Sequence, residues 1–572
     1  MNTNIWKKLG AYAARYKWLG IITVLVALFN SFISSVRPYM ISEVIDKELP
    51  TKDLGLITQS ILLIFGVLLI EVVSQFLFFI LSGHFSQKII QDIRNDLFAK
   101  VTTFRLRFFN NTPLGVLVTR AVSDIETIST VFNEGIQVFG DFLKIFFVLG
   151  MMFQMNWRMG SIVFLVLPIM IFITRKFQRA TKKSFQNERT FTAQLNSFVQ
   201  ERVTGIKIVQ IFNREKAEYQ KFTKINTDLN KAFVKTIFYF SLFFPVTDIL
   251  SGIALGLLIA YAFVFKDVKP GEIVAFILFI QMLFRPLRQI ADRFNNVQAG
   301  FVGAERVFNL IDTNDVIPDE GTVVLEKIKG DIQFKNVYFS YESNEPVLRD
   351  ISFDIKAGQV IAIVGATGAG KSTIINLLTR FYDIDSGEII IDGYPIKDIK
   401  IHNLRDKISV VLQDVFLFND TIMNNITLGN ENITREQVIQ ASKDIKLHSF
   451  IQNLPGEYDY VVKERGATLS VGQRQLISFL RAMVHNPDVL VLDEATSSID
   501  NESEQLIQEA TLKLTKGRTS IVIAHRLTTI QNADIIIALE RGQIREMGSH
   551  EELLKMENGY YRKLYDVQFS KK

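Results

Sequence analysis

A helical membrane-spanning half followed by a soluble α/β half is the fold class the sequence predicts, and three observations carry the prediction. Six apolar stretches recur near residues 18–36, 57–82, 136–155, 159–178, 236–265 and 270–287, most of them close to the ~20 residues a helix needs to cross ~30 Å of hydrocarbon. Beyond Gly330 the composition turns to the mixed charged pattern of a soluble domain, and most of the 47 Phe residues precede Arg306. Within that second half a strand-like run, Gln359 to Val364, leads into the glycine-rich GATGAGKST of residues 365–373 and then into a helical apolar pattern from Ile374.

The totals agree with this division. Hydrophobic residues make up 48% of the 572, high for a chain wholly in water. A net charge of +5 from 64 basic and 59 acidic residues argues against a nucleic-acid binder acting through bulk charge. With no cysteine there is no disulfide framework, thiol catalysis or cysteine metal site. Lys7, Lys8 and Lys17 before the run Leu19–Phe29 imitate a secretory signal. That run continues past Ile33 without a small-residue cleavage pattern, as a first transmembrane helix does.

Charge in the connections sets the orientation. Lys88, Arg94, Lys100, Arg105, Arg107 and Arg120 follow the second stretch, and Arg175, Lys176, Arg179, Lys182 and Lys183 follow the fourth, so both segments face the cytoplasm. The links around Asp46–Asp53, Asn156–Arg158 and Lys266–Lys269 are short, nearly balanced and face outside. Both termini then lie in the cytosol. Between Gln178 and Thr236 the pattern is polar and helix-compatible, so spans four and five extend below the membrane, reaching about 40 Å at ~1.5 Å per residue.

Three acidic residues fall in or near spans, where an ionised group is costly unless paired or facing water. Asp141 has Lys144 three residues on as an example of a pairing partner, Asp248 lies in span five, and Glu71 has no basic partner in its local sequence. Glu71 is therefore the candidate substrate-pathway residue, expected to face a central cavity and favour cationic cargo; unchanged export of a cationic dye by Glu71→Gln would count against that. The abundant Phe side chains suit an aromatic cavity for apolar cargo, although lipid-facing filler accounts for most of them.

The GATGAGKST segment is a P-loop in its required strand-to-helix setting. Gly365, Gly368 and Gly370 allow a tight turn that presents N–H groups to phosphate, with the helix N-terminus behind them. Ala366, Thr367, Ala369 and Thr373 complete the loop, Lys371 is placed to reach the β- and γ-phosphates, and Ser372 to bind Mg²⁺. VLVLDE at residues 489–494 is an apolar strand ending in two carboxylates, at the edge where α/β sheets present ligand groups. Asp493 is expected to hold Mg²⁺ through water and Glu494 to act as general base on the attacking water.

Between these two motifs lies LSVGQRQ, Leu469 to Gln475. With it the chain resembles the ATP-binding cassette transporters over essentially its whole length, specifically exporters in which six spans and one nucleotide-binding domain are fused. The resemblance implies an α-helical transmembrane domain at 1–315 with long cytosolic extensions, a linker at 316–330, and an α/β P-loop nucleotide-binding domain with a helical subdomain at 331–572. It implies that Tyr341 stacks on adenine, a contact worth ~1–3 kcal/mol, that Gln413 senses and binds Mg²⁺, that Ser497–Asp500 crosses to the other nucleotide domain, and that His525 contacts the γ-phosphate. ATP and Mg²⁺ are the implied cofactors. Leu469, Ser470, Val471, Gly472 and Gln473 then form the signature that completes the ATP site of a second subunit. Phe108–Ile125 resembles the first coupling loop and Asn213–Phe222 the second, which by resemblance docks on the partner near Glu464–Gly466.

One position departs from the family pattern. The usual signature reads LSGGQ, and Val471 replaces its third residue, which adds bulk and is expected to restrict φ. The site completed by this signature is therefore expected to be slow. A heterodimer carries that defect once, so the expected partner is a second half-transporter of different sequence with an intact signature. The expected function is ATP-driven export of hydrophobic or amphipathic compounds, cationic ones among them, as in multidrug efflux, from a bacterial plasma membrane. Lipid flipping, chelate import through an exporter-like fold and an ATP-gated channel are the alternatives. The spans exclude a soluble repair or translation ATPase, and the lack of a peptidase segment before Trp6 argues against a peptide processor.

Overall fold

A computed structural model describes residues 3–265, 268–342, 345–493, 501–524 and 527–569. The chain divides into two compact units, one of residues 1–102 and 112–314, the other of 103–111 and 315–572.

In the first unit, six helices among the described residues are long and apolar enough to cross a membrane. The helices that contain them are Lys17–Glu43, Leu54–Val101, Ile125–Met155, Trp157–Thr204, Glu215–Phe265 and Pro270–Asp312. They match the six apolar stretches. The fourth and fifth helices run to 48 and 51 residues, about 70–75 Å at 1.5 Å per residue, more than twice the hydrocarbon thickness. Polar sequence between Gln178 and Thr236 is helical for most of its length, as expected. The short helix at the tip of this leg is Ile206–Ile211. It lies upstream of the expected 213–222, most of which forms the first turns of the fifth helix.

A buried apolar cluster joins four of these helices, with Val148 and Met152 from the third helix, Val163 and Met170 from the fourth, Ala254 and Leu258 from the fifth, and Phe276, Phe279 and Phe284 from the sixth. Close approach of the sixth helix to the third requires the small residue at 303: a Cβ there would stand 2.4 Å from Thr127 Oγ1. Near the amino terminus, helix Thr3–Arg15 is tied down by polar contacts. Tyr12 donates to Asp96 at 2.7 Å, Arg15 pairs with Asp92 at 3.0 Å, and Lys8 pairs with Asp312.

The second unit holds two sheets. The antiparallel one has the order β2-β1-β4-β5, from β1 (Ile332–Ser340), β2 (Pro346–Ile355), β4 (Ser386–Ile391) and β5 (Tyr394–Pro395). The other has the order β10-β9-β3-β8-β7-β6, from β3 (Val360–Gly365), β6 (Ile408–Val411), β7 (Val489–Asp493), β8 (Thr519–Ile523), β9 (Ile535–Glu540) and β10 (Gln543–Gly548). Its strands from β9 to β6 are parallel and only β10 runs against its neighbour. Buried runs such as VLVL and SIVI explain why: a parallel sheet covered on both faces takes continuous rather than alternating apolar residues. Helices 422–427, 435–444, 448–452 and 471–485 form a helical subdomain.

Two segments outside the expected domain limits pack with this unit. Phe104 bridges to Val316, Arg105 donates to the Val316 carbonyl at 2.8 Å, and Leu106 packs on the sheet core. Residues 316–330 are equally engaged, since Val323 pairs with Ile399 and Ile328 N–H donates to Asp488 at 2.9 Å.

Asp392 joins this stretch to the turn between β4 and β5 by accepting from the N–H groups of Lys329, Gly330 and Asp331 at 2.6, 3.1 and 2.9 Å. Replacing it leaves these donors without their acceptor. Asp392→Ala is expected to lower stability by ~1–3 kcal/mol, read as an earlier unfolding transition of the soluble unit in differential scanning calorimetry.

Candidate functional site

Strand register builds the site. Ile363 on β3 pairs with Ile523 on β8, and Ile523 pairs on its other side with Asp493 on β7. The glycine-rich turn that begins at Gly365 and the carboxylate of Asp493 therefore leave the sheet at the same edge, two strands apart. Glu494 and the SSID stretch at 497–500 follow Asp493, and His525 follows Ile523 by two residues; all lie outside the described residues.

The turn itself has the shape a phosphate needs. Gly365 lies so close to β9 that a Cβ would meet the Leu539 carbonyl oxygen at 2.4 Å. Gly370 takes φ +102° immediately before helix Lys371–Leu378, and no side chain caps that helix. Such a terminus leaves backbone N–H groups and positive dipole free for an anion. Lys371 is 8% exposed. Its ammonium donates to the carbonyls of Gly365 and Ala366 at 2.8 and 3.1 Å, spanning the loop. Burial pushes its pKa below the ordinary lysine value, and Asp493 opposes that shift. A cation desolvated between a nest of N–H groups and a carboxylate suits a polyphosphate with a metal ion beside it. Ser372 and Gln413 are exposed, the latter just beyond β6.

Tyr341 stands beside the loop, half-buried. Its hydroxyl donates to Thr373 Oγ1 at 3.2 Å and accepts from Asn376 at 3.2 Å. Its ring packs edge-on with Phe339 at 4.8 Å and Tyr382 at 5.0 Å. No motif marked Tyr382, yet it is buried and its hydroxyl accepts from Asn110 Nδ2 at 2.9 Å, on the short helix Leu106–Asn111. Burial raises the Tyr382 phenol above its ordinary pKa.

The signature segment forms the start of another helix, Val471–His485. Ser470 is its N-cap, accepting from Gln473 N–H at 3.2 Å, while Gln473 Oε1 accepts from Ser470 N–H at 2.9 Å. Leu469 and Gly472 are buried. The expected loss of φ freedom at Val471 is not what the structure shows. Val471 is the first helical residue and is not among the positive-φ positions, so a β-branched residue takes this backbone without strain. What remains of the departure is bulk, an isopropyl group 42% exposed beside the Ser470 cap.

In the membrane-spanning unit the expected charge pairs also change. Glu71 does have a basic partner, Arg37 of the preceding span, at 3.4 Å; the sequence separation of 34 residues hid it. Asp141 pairs with Arg293 of the sixth helix rather than with Lys144. Gly365→Ala is expected to lower ATP affinity at least tenfold, about 1.4 kcal/mol, by driving a methyl group into the Leu539 carbonyl; equilibrium binding of a fluorescent ATP analogue measures it.

The chain matches two protein families, the ABC transporter transmembrane region over residues 20–287 and the ABC transporter family over residues 348–497. It is 37% identical to an ABC transporter ATP-binding protein, exp8, of Streptococcus pneumoniae, over 99% of this chain and 97% of that protein. It is 37% identical to the ATP-dependent lipid A-core flippase of Syntrophus aciditrophicus, over 86% of this chain and 82% of the flippase. Among solved structures it resembles a bacterial Atm1-family ABC exporter with ATP bound, with a TM-score of 0.77, 26% identity and coverage of 97% and 98% of the two chains.

Proposed function

The chain belongs to the ABC transporters, as an exporter-type half with six spans and one cytosolic ATPase domain, and on that premise we propose that it moves hydrophobic or amphipathic compounds out of the cell by alternating access. The observation that supports this reading best is the shared sheet edge of Gly365 and Asp493 in a chain that also carries six candidate spans. Lipid flipping is the second reading. It is favoured by the relative named as a lipid A-core flippase.

In this reading the P-loop N–H groups and Lys371 hold the phosphates, and Tyr341 supports the adenine. Ser372, Gln413 and Asp493 hold Mg²⁺, partly through water; the ion supplies charge neutralisation on the phosphates. Glu494 takes a proton from the attacking water and His525 orients it. Ser470 and Gly472 face the ATP held by a second subunit. Exposed Ile206, Ile208, Ile211 and Phe212 at the tip of the cytosolic leg support assembly with that subunit, because an apolar cluster of this kind calls for a cover.

We read the assembly as a heterodimer whose partner has an intact signature, since bulk at Val471 narrows the approach to phosphate. Three outcomes test these assignments. Glu494→Gln is expected to cut turnover by at least a hundredfold, on the scale of losing a general base, while ATP binding is kept; a phosphate-release assay beside nucleotide binding reads both. Uphill accumulation of cargo in sealed inverted vesicles separates transport from channel gating. Purified alone, this chain is expected to hydrolyse ATP slowly and to gain severalfold from Val471→Gly, a change that removes the side-chain bulk and costs up to ~1 kcal/mol in helix propensity.

A further inference from the structure

Among the described residues, six ionisable side chains gather in the membrane-spanning unit. Arg37 and Glu71 form one ion pair and Asp141 and Arg293 another. Lys144 lies within electrostatic reach of Glu71, Asp141, Arg285 and Arg37, and Arg285 within reach of Asp141. All but Arg293 fall within the candidate spans. Among the described residues, four cations against two carboxylates leave a surplus of two positive charges. Neither Lys144 nor Arg285 has a carboxylate at ion-pair distance among the described residues.

The one pair that Glu71 makes is also incomplete. Arg37 Nε and Glu71 Oε2 stand 3.4 Å apart, both buried and both without a hydrogen-bond partner among the described residues. A charge at membrane depth is costly and persists where it is paired or serves a pathway. Surplus like charges raise that cost further, because each also repels its neighbours in a medium of low dielectric. Four helices, the first, second, third and sixth, contribute to this arrangement, so no single span explains it as a local pair.

We propose that this cluster is the binding site for the anionic head of an amphipathic cargo, with Lys144 and Arg285 supplying the attraction. Arg37 and Glu71 form the adjustable wall, since parting this pair would offer a donor and an acceptor to a headgroup with both acceptor oxygens and a hydroxyl. The proposal rests on the export reading above and narrows it. It replaces cationic cargo, the class that Glu71 alone would favour, with a phosphate- or carboxylate-bearing lipid-like anion.

The test uses the full chain, isolated with the subunit it assembles with and reconstituted in phosphatidylcholine vesicles. ATP turnover is titrated with dodecyl phosphate, with dodecyltrimethylammonium, which has the same tail and the opposite charge, and with sulfate as a tailless anion. Dodecyl phosphate is expected to act at a concentration at least tenfold below that of the cation, sulfate is expected to have no effect, and Lys144→Gln is expected to raise the dodecyl phosphate requirement about tenfold, the scale for losing one charged partner. Lys144→Arg restores the response, and unfolding midpoints show that each variant is folded. Equal potency of the two amphiphiles, or a folded Lys144→Gln that responds as the parent does, overturns the proposal. So does a response to sulfate alone, which makes this a simple anion site. Uphill transport of the cation without the anion overturns it while leaving export intact. No response to and no transport of any amphiphile removes the export reading as well.

Discussion

The chemistry of the soluble unit depends on one constraint, the parallel pairing of β8 with β3 on one side and β7 on the other. Because Ile523 faces both Ile363 and Asp493, the phosphate loop and the first carboxylate of the VLVLDE strand cannot drift apart without breaking a ladder whose central strand is wholly buried. A shift of β7 by one residue would move Asp493 along the edge and turn its side chain to the other face. Both faces of these strands are buried, one under helices and the other against the P-loop helix and the antiparallel sheet. The antiparallel sheet then brings Tyr341 beside the P-loop helix, where its hydroxyl meets Thr373.

Much of this was legible in sequence because the signals were local. A P-loop, an apolar strand ending in Asp493 and Glu494, and LSVGQRQ each occupy a few consecutive residues, and each implies its own strand or helix. Six apolar stretches announced themselves by length. The parts that sequence did not show depend on contacts between distant residues. Arg37 and Glu71 are 34 positions apart and Asp141 and Arg293 are 152 apart, whereas helical spacing offers Asp141 only the nearby Lys144. Tyr382 is another case, an aromatic in an unremarkable stretch whose place beside Tyr341 arises only when β1 folds over the P-loop helix.

Val471 illustrates a different limit. Glycine in a family pattern suggests a backbone that only glycine adopts, but here the third signature position is the first turn of an ordinary helix, closed by the reciprocal Ser470 and Gln473 cap. The cap fixes the helix start regardless of the residue between. Substitution at this point therefore acts outward, on whatever approaches the helix N-terminus, and leaves the fold of the segment unchanged.

The bond from Asn110 to Tyr382 and the packing of Phe104 and Leu106 have a consequence for how the molecule can be divided. Residues 103–111 belong by contact to the soluble unit, although 203 residues separate Asn111 from Asp315, where the rest of that unit begins. A fragment starting at 315 would be missing a piece of itself and would carry an apolar scar where that piece belongs. Chain order and physical module do not coincide here, and a soluble fragment that keeps its native surface has to borrow this nine-residue insert from the other end of the chain.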